Sequence, residues 1–75
     1  MPRLPRITAG ELLRALRGDG WEVSRQSGSH HILRHPTKKG AVVVPYHGGR
    51  DLRTGTLASI IDQAGLTADD LRRLL

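Results

Sequence analysis

The spacing of apolar and polar positions along the 75-residue chain changes several times, and each change marks an element. Ala9, Leu12, Leu13, Ala15 and Leu16 recur at three-to-four spacing while Arg14 and Arg17 take the other side, which predicts an amphipathic helix. In front of it, Thr8-Ala9-Gly10-Glu11 has the form of a capping box, with Ile7 placed to staple onto Leu12. Gly18-Asp19-Gly20 closes the helix. Trp21-Glu22-Val23-Ser24-Arg25 then alternates with period two, as a strand with one buried face does, and Gln26-Ser27-Gly28 reads as a turn. Ser29 to His35 predicts a second strand, joined through Pro36-Thr37-Lys38-Lys39-Gly40 to a third, Ala41-Val42-Val43-Val44. That third strand is apolar at every position, which suits a doubly covered strand, yet a meander of three consecutive strands places it at an edge.

After the loop Pro45 to Asp51, Thr54 or Thr56 is the expected cap of a second helix with an apolar stripe of Leu57, Ile60, Ile61 and Ala64, and Gly65 stands where a helix-ending glycine belongs. Thr67-Ala68-Asp69-Asp70 opens a last short helix whose apolar side is Leu71, Leu74 and Leu75. The expected fold is α+β: a three-stranded antiparallel sheet in α-β-β-β-α order, helices packed on one face, and a short extra C-terminal helix. A chain of this length holds a single core.

Composition excludes several classes. With no cysteine there is neither a disulfide framework nor a thiolate zinc site. No apolar run approaches the roughly 20 residues of a membrane span. The N-terminus Met1-Pro2-Arg3-Leu4-Pro5-Arg6 lacks the apolar segment of a secretory signal, so a cytoplasmic protein with no membrane partner is expected.

The net charge of +5 is unevenly placed. Residues 25–53 hold Arg25, Arg34, Lys38, Lys39, Arg50 and Arg53 against Asp51 alone, so this window carries the whole excess, and all four histidines lie within it. A solvated basic face is one reading. The concentration favours a polyanion such as nucleic acid.

Gly28-Ser29-His30-His31-Ile32-Leu33-Arg34-His35-Pro36 is the most unusual stretch. Strand parity puts His31, Leu33 and His35 on one face and His30, Ile32 and Arg34 on the other, without saying which face the helices cover. Three readings are open for the histidines. In the first, one packs under the helices with its nitrogens satisfied; in the second, His31, His35 and His47 gather a metal with Asp51; in the third, one transfers protons at a phosphodiester, with arginine and lysine holding the phosphate. Trp21 and Tyr46, the only aromatics, are too few for a base-stacking sheet, and Trp21 reads as core. The Gly48-Gly49-Arg50 loop reads as a turn that could also approach a phosphate.

The order of Gly20-Trp21, Gly28-Ser29-His30-His31-Ile32-Leu33-Arg34-His35-Pro36, Val42-Val43-Val44-Pro45-Tyr46-His47, Gly55-Thr56-Leu57 and Gln63-Ala64-Gly65-Leu66 resembles the HicA (YcfA-like) toxin family over about residues 8–66. The resemblance implies a fold like a double-stranded-RNA-binding domain, in agreement with the element order. It also implies the toxin of a type II toxin–antitoxin system: an mRNA interferase, active without a metal or other cofactor, whose partners are mRNA and a HicB-type antitoxin. The last residue of the family's Gly-Ser-x-His element falls on His31, which becomes the expected catalytic residue, with Ser29, Arg25, Arg34, Lys38 and Lys39 expected at the RNA. His35 and His47 are the remaining candidates for a second proton-transfer group. Residues 1–7 are read as an N-terminal extension and 8–75 as one toxin domain. A non-catalytic RNA-binding module and a subunit whose basic face serves an acidic protein are the competing expectations.

Overall fold

The computed structural model describes residues 3–75; Met1 and Pro2 of the expected extension lie outside the described residues. Elements follow in the order α1 (Ala9–Gly18), β1 (Glu22–Ser27), β2 (His30–Arg34), β3 (Ala41–Pro45), α2 (Thr54–Gln63) and α3 (Ala68–Leu74). The antiparallel sheet has the order β1-β2-β3, so β3 is an edge strand as the meander requires. Its continuous apolar run is covered on one face only: Val42 and Val44 are buried on the inner face, while Val43 is 42% exposed on the outer one, opposite Ile32.

Capping chemistry sets the helix limits. The Thr8 hydroxyl accepts from the Glu11 amide at 3.2 Å and the Glu11 carboxylate accepts from the Thr8 amide at 3.0 Å, completing the box that begins α1. At the other end Trp21 N–H donates to the Leu16 carbonyl and Gly20 N–H to the Arg17 carbonyl, the paired bonds of a Schellman motif, with Gly20 at φ 104°. Helix α2 ends in the same way: Leu66 N–H reaches the Ile61 carbonyl, Gly65 N–H reaches Asp62, and Gly65 lies at φ 72°. Its beginning differs from the expectation. Arg53, not Thr54 or Thr56, is the N-cap residue, and no side chain caps the helix. Neither threonine has an acidic or amide residue three positions on to complete a box, whereas Thr67 has Asp70, and α3 starts with both box bonds made.

One core unites Leu12, Leu16, Trp21, Leu33, Val42, Val44, Leu57, Ile60 and Leu71. Ile7 is also buried in it and Leu4 packs against it, so packing extends into the segment read as an extension. Strand β1 differs from its sequence pattern in one respect. Register slips between Val23 and Arg25, so Val23 pairs with Leu33 on the inner face but Arg25 pairs with Ile32 on the outer one. Ser24 sits in this bulge, its hydroxyl donating to the Ile32 carbonyl at 3.2 Å. Among the described residues, no helix is long and apolar enough to cross a membrane.

Candidate active site

The inner face of the sheet is covered unevenly. Helices α1 and α2 pack on β3, and cover thins toward β1, where Val23 is half-buried against the core and the rest of the strand is exposed. In the row of cross-strand partners Val44, His31 and Gln26, Val44 is buried, His31 half-buried and Gln26 exposed. His31 thus stands at the rim of the helix layer, on the face that also carries buried Leu33. It is delivered there by a two-residue hairpin. Gly28, at φ 57°, takes the first central position of the turn and Ser29 the second, as a type II′ connection requires.

The strand pairing brings a neighbour to His31. His30 pairs with Pro45, and the Tyr46 amide donates to the Ser29 carbonyl at 2.7 Å, which folds Tyr46 back over β2. The Tyr46 and His31 rings lie 5.3 Å apart at 42°, and Tyr46 remains 40% exposed. A Cβ placed on Gly10 would lie 3.7 Å from the Tyr46 Oη, so the phenol extends across the first turn of α1. His31 Nδ1 is buried without a hydrogen-bond partner among the described residues, leaving Nε2 as the ring nitrogen turned to solvent. This is an imidazole with one open nitrogen beside a phenol. It can exchange a proton with a bound molecule without first breaking a bond to the protein.

His35 is the opposite case. Its Nδ1 accepts from the amides of Thr37 at 3.1 Å and Lys38 at 3.2 Å, which makes Nε2 the donor to the Asp19 carbonyl at 2.7 Å. The ring meets Trp21 edge-on at a centroid distance of 5.2 Å, and a Cβ on Gly20 would come within 2.7 Å of Nε2. All of its polar capacity serves the fold. Four residues of strand separate it from His31 by about 13 Å, too far to share a proton.

The residues expected at RNA are distributed, not gathered. Ser29 lies in the turn ahead of His31. Arg25 and Arg34 project from the outer face, with His30, on the side of the sheet away from His31. Lys38 is already engaged: its Nζ donates to Asp19 Oδ2 at 2.7 Å and to the Ala64 carbonyl at 2.9 Å, tying the C-terminal ends of α1 and α2 together. Lys39 is exposed in the same far loop. The described residues contain no group of three or more His, Asp or Glu side chains placed to hold a metal ion, and His31 and His35 stand at opposite ends of β2.

Two features go beyond the sequence reading, in which the Gly48-Gly49-Arg50 turn alone stands as a possible phosphate contact. Tyr46 stands in the sequence as one of two aromatics and within the Val42–His47 element, and its place directly after the strand that pairs with β2 is the signal for its position beside His31. The loop from Pro45 to Arg53 forms a groove of about 650 Å³ lined by His47, Arg50 and Arg53, with Asp51 as its one carboxylate. Leu52 N–H donates to the Ile7 carbonyl at 2.8 Å and Asp51 bridges Thr8, so this loop is pinned to the entrance of α1.

A comparison with curated protein sequences gives no match. The family model described as "HicA toxin of bacterial toxin-antitoxin" matches residues 9–66, a span that runs from the first residue of α1 past the end of α2 and includes His31, Tyr46 and the groove. The chain belongs to the HicA toxin family of bacterial toxin–antitoxin systems.

Proposed function

We propose that the chain is an endoribonuclease toxin in which His31 transfers protons at an RNA phosphodiester, and that a HicB-type antitoxin silences it by covering this residue. Imidazole changes charge near neutral pH, so one group can take the proton of a ribose 2′-hydroxyl and a proton can be returned to the leaving 5′-oxygen. The bond between the 2′-oxygen and phosphorus forms as the bond to the 5′-oxygen breaks. The observation that carries the reading is the contrast in hydrogen bonding: His31 keeps an open ring nitrogen at the rim of the sheet, whereas His35 is saturated. Tyr46, whose ring lies against His31, orients the imidazole and is a candidate for the second proton-transfer group. Arg25 and Arg34 contribute to the field that attracts RNA from the outer face.

The test is cleavage of single-stranded RNA by the purified chain in EDTA. The His31→Ala protein is expected to cleave about 10² to 10⁴ more slowly than wild type. Cleavage at the wild-type rate by that variant overturns the assignment.

A further inference from the structure

The groove beside β3 joins His31's neighbourhood to the start of α2; Ser29, Arg25, Arg34, Lys38 and Lys39 do not line it, while Arg50, from the loop read as able to approach a phosphate, does. Its wall begins at Pro45, one residue before the Tyr46 that packs on His31, and continues through His47, Arg50 and Arg53 to Thr56 in the first turn of α2. The Arg50 amide donates to the His47 carbonyl at 3.3 Å, and Gly48 lies at φ 61°, so the loop doubles back and sets Arg50 beside His47. The pinning of Leu52 to Ile7 then fixes Arg53 at the head of α2. Both guanidinium groups are uncommitted among the described residues. The ion pairs there are Lys38–Asp19, Arg72–Asp69 and Arg73–Asp70, and neither Arg50 nor Arg53 donates a side-chain hydrogen bond, even to Asp51. Two unpaired arginines and a histidine held on a pinned loop, against one carboxylate, make a preorganised cationic channel leading away from His31.

We infer that this groove holds the RNA backbone next to the phosphate at His31, with Arg50 and Arg53 each gripping a phosphate. The inference rests on the reading of His31 as facing RNA and adds where the strand runs. Arginine suits the task because its planar donors match phosphate oxygens two at a time. The strand enters along the Pro45–Arg53 loop beside β3, and the outer-face Arg25 and Arg34 act only through their field.

The experiment uses the His31→Ala chain, which is expected to bind while cleaving about 10² to 10⁴ more slowly, and a labelled single-stranded oligoribonucleotide titrated at several salt concentrations. Replacing Arg50 and Arg53 together by Gln is expected to weaken binding at least tenfold at low salt. It should also flatten the dependence of log affinity on log salt by about 1.4, the value for two single-strand phosphate contacts. Lysine at both positions should restore the slope. Arg72→Gln with Arg73→Gln removes the same charge from paired positions on α3, and should leave the slope unchanged. Equal losses in the two glutamine double variants, or no loss at Arg50 and Arg53, overturn the groove assignment while leaving the role of His31 intact. An intact RNA affinity with lost binding to an acidic protein partner also overturns it. A His31→Ala chain that binds no RNA at any salt overturns both readings.

Discussion

The two ends of the sheet's inner face carry the same residue type and treat it in opposite ways. At one end His35 lies among backbone partners supplied by the C-terminus of α1 and by the loop before β3, and beside it Lys38 joins the C-terminal residues Asp19 and Ala64 of two helices. At the other end His31 has an orphaned Nδ1, an aromatic neighbour and an open side. The polarity of the helices accounts for much of the difference. Helices α1 and α2 run side by side, since Leu52 is bonded to Ile7 near both starts and Lys38 reaches both ends. Their negative ends are therefore closed by donors from within the chain, and their positive ends face the region of His31 and the basic groove. The fold places Lys38 and its saturated histidine at one end, and at the other it closes α1 with the Thr8–Glu11 box but leaves the start of α2 without a side-chain cap beside the groove.

The largest effect expected from disturbing this comparison comes from the glycines that flank the two histidines. Gly20→Ala puts a Cβ 2.7 Å from His35 Nε2 at a φ of 104°, and should cost about 2–4 kcal/mol in urea unfolding. Gly28→Ala, at φ 57° with nothing within 4 Å, should cost only about 1 kcal/mol. Equal costs would remove the distinction between a packed end and an open one.

A smaller effect is expected at the tether. Lys38→Met keeps the aliphatic stem but loses both bonds of the ammonium, and because that pair is partly solvent-accessible the loss should be about 1 kcal/mol, or a fall in Tm of about 4–8 °C. RNA affinity should be almost unaffected by this change. A loss of RNA affinity comparable to that of the Arg50 and Arg53 variant would place Lys38 in the RNA site after all.

The smallest effect lies at the cap of α3. Hydrogen bonds from the Thr67 amide and then the Thr67 hydroxyl hold the Asp70 carboxyl below its ordinary value of 3.8. A lowered carboxylate stabilises the folded state above that ordinary value, and the contribution disappears as pH falls through the lowered one. The stability difference between wild type and Asp70→Asn should accordingly be present at neutral pH and close in strong acid, with amide exchange at Thr67 as the readout. A difference that persists unchanged in acid would show that the box does not depend on the charge.

Much of this architecture was legible in local sequence. The boxes at Thr8 and Thr67 and the stops at Gly20 and Gly65 are short-range signals, each settled within six residues, and the three strands followed from turns between β-forming runs. What escaped depended on contacts between distant residues or on register. The bulge at Ser24 moved Arg25 to the outer face, which strict alternation could not foresee. Arg53 caps α2 through its backbone alone, so no residue type announces it. The charge of Lys38 counted toward a nucleic-acid surface in composition, but its partners are Asp19 and Ala64, 19 and 26 residues away. For the histidines, parity placed His31 and His35 on one face, and the Asp19 carbonyl together with the amides of Thr37 and Lys38 separates the structural ring from the one left open. The family motif pointed to His31 before any of these contacts was known, while Tyr46 and the groove emerged from strand pairing and loop closure.

The most direct test of the division between the two ends is to take His31→Ala and His35→Ala side by side through RNA cleavage in EDTA and urea unfolding. Losses should cross over. The His31 variant should lose about 10² to 10⁴ in cleavage rate with a stability change within about 1 kcal/mol, because the side chain removed makes no hydrogen bond. The His35 variant should lose about 2–3 kcal/mol, through the unmet Asp19 carbonyl and amides of Thr37 and Lys38, while its folded fraction keeps cleavage within about tenfold of wild type. A His35 variant as inactive as the His31 variant while still folded, or a His31 variant that cleaves normally, would contradict the account.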